Sequence, residues 1–65
     1  MFRDLGNRAV LAAVLTHLGD QLAGAGQPGQ ARDAWREALA IFDDLRDPAA
    51  GPVRSRLAGA APAAV

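Results

Sequence analysis

The 65 residues include no cysteine, so disulfides and thiolate chemistry are excluded, and the single histidine, His17, cannot build a metal site alone. Lysine is missing too, which rules out a phosphate-binding Gly-x4-Gly-Lys-Ser/Thr loop. Aromatic side chains are few: Phe2, Trp35 and Phe42. Neither sign of charge dominates, because seven arginines balance seven acidic residues, and the positive field on which nonspecific nucleic-acid or membrane contact depends is absent. No apolar run is long enough to cross a bilayer, which takes about twenty residues. The longest, Ala9–Leu15, passes into Thr16, His17 and Asp20 while the helical spacing continues, unlike a secretory leader. Ser55 lies far along the chain from His17, so no nucleophile and base can be paired. The expectation is a cytoplasmic, non-catalytic protein with no cofactor and no direct contact to nucleic acid or membrane.

What remains is apolar and helical in its periodicity. Leu11, Val14, Leu15, Leu18 and Leu22 recur at steps of three and four, which predicts a helix over about 8–24, with Asn7 as its N-cap. Gly24 and Gly26 close it, since glycine adopts the left-handed conformation of a C-terminal cap without penalty. Pro28 suits the first turn of a second helix over about 28–45. Its apolar face holds Ala31, Ala34, Trp35, Ala38, Leu39, Ile41, Phe42 and Leu45, opposite Arg32, Asp33, Arg36, Glu37 and Asp43. A connection this short makes the two helices antiparallel. Asp47 and Pro48 read as the cap and first position of a third element within 47–58, where Pro52 disturbs the next turn and leaves a short helix from about Pro52 to Ala58. Residues 59–65 carry no periodicity and read as a flexible tail.

The fold class is therefore all-α, an antiparallel helix-turn-helix over 7–46 plus a short third helix. Its packing core is expected at Leu11, Leu15, Leu18, Leu22, Ala31, Trp35, Ala38, Leu39, Phe42 and Leu45. An internal echo is also present: Phe2, Asp4, Leu5, Ala9 and Gly19 recur forty positions later as Phe42, Asp44, Leu45, Ala49 and Gly59. A period in this range indicates a solenoid, with residues 1–6 as the end of a preceding repeat.

The spacing Leu15-x2-Leu18-Gly19-x2-Leu22, then Gly26, then Ala31-x3-Trp35-x2-Ala38-Leu39 resembles the tetratricopeptide repeat. Leu15 and Leu22 stand where that family usually has aromatics, and its closing proline position is Asp43, with proline delayed to Pro48. A HEAT-like helix pair shares a period near forty but lacks the Leu-Gly and Ala-x3-aromatic spacing. The phrases at residues 2–8 and 34–45 are similar to the C-terminal repeat arrays of actinobacterial transcriptional regulators. There, repeats follow a DNA-binding domain and a nucleotide-binding switch domain, so the alternative expectation is a regulator fragment that senses a ligand or restrains such a switch.

The resemblance implies protein–protein interaction, with another protein or peptide, or with itself as a homodimer or larger assembly. It also implies a concave partner-binding face at Ala13, Thr16, His17 and Asp20. His17 and Asp20 stand where a carboxylate-clamping groove would need amides or cations, so capture of a peptide C-terminus is not expected. Trp35 lies on the apolar stripe, which assigns it to packing before any interface role. Asp43, Asp44 and Asp47 lack the glycine-punctuated loop of a calcium site, and Arg54 with Arg56 are too few for a nucleic-acid footprint.

Overall fold

The computed structural model describes residues 5–60 as three helices, α1 (Leu5–Gly24), α2 (Pro28–Leu45) and α3 (Ala50–Ala60). No strand occurs among the described residues, and the chain is all-α. No helix among them is long and apolar enough to cross a membrane. Three boundaries differ from expectation. Helix α1 already includes Leu5 and Gly6, so Asn7 lies inside it and is not its cap. Helix α3 begins before Pro52 and continues through Gly59 and Ala60. Pro52 falls in its first turn, where no N–H is needed, and the Pro48 carbonyl accepts from the Gly51 N–H at 3.1 Å. The expected end of a preceding repeat lies partly outside the described residues, at 1–4, as does most of the expected tail, at 61–65.

The two inter-helix turns are built alike. After α1, the Gln27 N–H reaches back to the Leu22 carbonyl at 2.9 Å and the Gly26 N–H to the Ala23 carbonyl at 3.2 Å. After α2, the Asp47 N–H reaches the Phe42 carbonyl at 2.9 Å and the Arg46 N–H the Asp43 carbonyl at 3.0 Å. This paired pattern satisfies the last carbonyls of a helix and requires one left-handed residue. Gly26 supplies it in the first turn at φ 81°, and Arg46 in the second at φ 56°. Each turn then ends in a proline, Gln27-Pro28 and Asp47-Pro48. Asp47 adds what Gln27 does not: its Oδ1 accepts the Ala49 N–H at 2.9 Å, capping the approach to α3.

Packing proceeds in sequence order, α1 on α2 and α2 on α3. The interior is made of small residues around two large ones: Ala12, Ala31, Ala38, Ala50 and Val53 surround Trp35 and Phe42, and Ala34 is buried beside them. Leu15, Leu22, Leu39, Ile41, Ala49 and Leu57 pack against its edge. Alanines let the helix axes approach closely, and Gly19 carries this furthest. A Cβ on Gly19 would sit 2.5 Å from Trp35 Cδ1, so the indole lies directly against the α1 backbone. The result is elongated, 43 × 21 × 12 Å, with little interior.

Candidate interaction surfaces

A polar link ties all three helices at Asp20. Arg56 of α3 donates from Nε to Asp20 Oδ1 at 2.7 Å and from a terminal nitrogen to Oδ2 at 3.2 Å, a two-pronged guanidinium–carboxylate contact. Trp35 Nε1 of α2 donates to the same Oδ1 at 3.2 Å and to the Thr16 carbonyl at 3.3 Å. The hydrogen bond from Arg56 is the main cause that holds the Asp20 carboxyl below its ordinary range, helped by the Arg56 charge and by Trp35, and opposed by partial desolvation. A depressed carboxyl pKa adds stability above its unfolded value, roughly pH 4, and that stability is lost as pH falls through the folded value. Both side chains are more than a third exposed, so the pair belongs with solvent-screened ones worth about 0.2–1 kcal/mol. At neutral pH, Asp20→Asn should therefore melt a few degrees below the parent chain, and the gap should narrow when both are melted in acid. A gap that stays constant would refute the assignment.

Beside this link, α1 and α3 flank an open groove of about 230 Å³ with Phe42 at its floor and Ala13, Thr16, Val53 and Arg56 along its sides. Of the four residues expected on a concave face, Ala13 and Thr16 line this groove. Thr16 spends its hydroxyl on the Ala12 carbonyl at 2.8 Å. Asp20 is committed to Arg56 and Trp35, so its carboxylate serves the fold. His17 is exposed and does not line the groove. The carboxylates at the end of α2, which oppose the helix dipole, are countered across helices: Arg8 donates to Asp44 at 2.8 Å and Arg54 to Asp43 at 2.9 Å. Among the described residues, no three His, Cys, Asp or Glu side chains gather into a possible cation site.

The larger surface feature lies on the other side of α1. Val10, Leu11, Val14 and Leu18 are exposed at 61%, 51%, 57% and 43%, and they are the exposed large hydrophobic residues of the described chain. Leu11 and Leu18 were expected in the core, and the structure places them outside it. The reason is the tight contact at Gly19. Trp35 seats against Gly19, which turns Ala12 and Gly19 inward with Leu15 and Leu22 beside them, and leaves Leu11, Val14 and Leu18 outside the contact, Leu18 at its edge. Trp35, Ala31, Ala38 and Phe42 are buried as expected, while Leu15, Leu22, Leu39 and Leu45 are half-buried. An open cleft of about 510 Å³ continues the stripe past Leu15, Leu18 and Leu22 toward Ala34, rimmed by Asp33, Arg36 and Glu37.

No family model, curated protein or solved structure matches the chain. The groove and the cleft are both open, and the cleft joins the exposed Val10, Leu11, Val14 and Leu18 stripe to leucines of α1 and polar residues of α2. Sequence reasoning missed Arg56, Ala12 and Val53. Val53 and Leu57 are four residues apart, a helical spacing, but the pairing of Arg56 with Asp20 spans 36 residues and leaves no local signal.

Proposed function

We propose that this chain is a non-catalytic, cytoplasmic protein–protein interaction or self-assembly module of the tetratricopeptide type. The observation that carries the reading is the uncovered apolar stripe of α1. A helix with apolar residues on nearly all sides is stable in water only when neighbours cover it, and α2 covers one side. Repeat units of this kind expose such a flank because the next unit is meant to stack there. The Leu-Gly and Ala-x3-Trp motifs support the same reading, since Gly19 of the first lies directly against Trp35 of the second.

Sedimentation velocity over a range of concentrations tests it. The chain is expected to associate with a midpoint of roughly 1–100 µM, and Val14→Arg is expected to leave a helical monomer across that range. A wild-type chain that stays folded and monomeric throughout would overturn self-assembly.

A further inference from the structure

Resting on that reading, we infer that the partner on α1 is a second copy of the same helix, laid antiparallel about a two-fold axis near Val14. At 3.6 residues per turn, Val10, Leu11, Val14 and Leu18 fall within about 100° of arc outside the contact with α2, with Leu18 at the edge that borders α2. Asn7 and Gln21 fall in the same arc at its two ends, and His17 at its edge. The stripe therefore reads amide, apolar, Val14, apolar, amide in either direction. Turning a second copy about Val14 sets Val10 and Leu11 against the partner's Leu18, and Asn7 against the partner's Gln21.

Charge agrees with this arrangement. No Asp, Glu or Arg of α1 lies in the arc, so the two stripes bring no like charges of α1 together, and the α2 charges beside Leu18, namely Asp33, Arg36 and Glu37, are of both signs. Arg8 and Asp20 lie on α1 outside the arc, already paired with Asp44 and Arg56. Antiparallel helices also oppose their dipoles, whereas a parallel pair would align them. An isologous contact of this kind closes on itself and ends at a dimer. The stripe is one helix wide, well short of the roughly 800 Å² per partner of a standard stable interface, so a weak dimer is expected.

The absence of native cysteine allows a direct test by oxidative cross-linking, since a disulfide forms only where Cα atoms approach within about 7 Å. Val10→Cys, Val14→Cys and Leu18→Cys each change an exposed position. Val14→Cys alone should give a covalent dimer, and so should an equimolar mixture of Val10→Cys with Leu18→Cys. Val10→Cys and Leu18→Cys taken singly should give at least about tenfold less. Efficient homodimers of those two would indicate parallel pairing and overturn the inference, leaving the proposed function in place. Association in sedimentation without cross-links at any of the three positions, or growth beyond dimers, would overturn it in the same way. A monomeric wild-type chain would overturn this inference and the self-assembly half of the proposed function, leaving interaction with a different protein.

Discussion

Trp35→Ala is expected to abolish the helical hairpin. The indole is 5% exposed and lies at the centre of the described core. Truncating a packed tryptophan costs about 3–5 kcal/mol, and a core in a chain this short rarely supplies more than that in total. Its Nε1 also bridges Thr16 and Asp20 of α1, so removing the ring leaves the Asp20 carboxylate with Arg56 alone. Far-UV circular dichroism should show most of the helical signal lost at room temperature. Trp35→Phe, which keeps apolar volume but gives up the indole donor, should remain helical and melt earlier than the parent. The comparison has to be made at one protein concentration, because association raises apparent stability. A Trp35→Ala chain that melts within a few degrees of wild type would show that the ring is not what holds α1 to α2.

Gly19→Ala should destabilise the chain, against the usual direction for glycine in a helix. Alanine normally gains about 0.5–1 kcal/mol there from backbone entropy. At Gly19 the new methyl would stand 2.5 Å from Trp35 Cδ1, and overpacking of this kind costs about 1–3 kcal/mol. Sterics should therefore win. Gly59 provides the control, since a Cβ there meets nothing within 4 Å, and Gly59→Ala should be neutral or stabilising. In a Trp35→Leu background the Gly19→Ala penalty should fall, a non-additivity expected of residues in contact. If Gly19→Ala raises the melting temperature as Gly59→Ala does, the close approach is wrong.

The residues differ in how much of this they signalled along the chain. Gly26, Gln27 and Pro28 announce the first turn because glycine and proline each mark a backbone conformation. Arg46 performs the task of Gly26 in the second turn with no such mark, since a left-handed arginine is held there by the flanking hydrogen bonds and not by its own preference. The α2 face could be read from periodicity because its apolar and charged residues separate cleanly. That of α1 could not, because its apolar residues surround the helix. Which side turns inward was decided by Gly19 and Ala12, small residues that periodicity rules discount. Of the expected concave face, Ala13 and Thr16 line the groove, but Asp20 is drawn into a structural contact by Arg56, a partner that only the third helix brings near.

The central claim is that the outer side of α1 docks a second copy of the chain. A dilution series of amide chemical shifts tests it residue by residue. The account predicts concentration-dependent shifts at Asn7, Val10, Leu11, Val14, Leu18 and Gln21, with Ala38, Ala50 and Val53 unmoved. Shifts concentrated on α3, or a spectrum unchanged across the series, would contradict it.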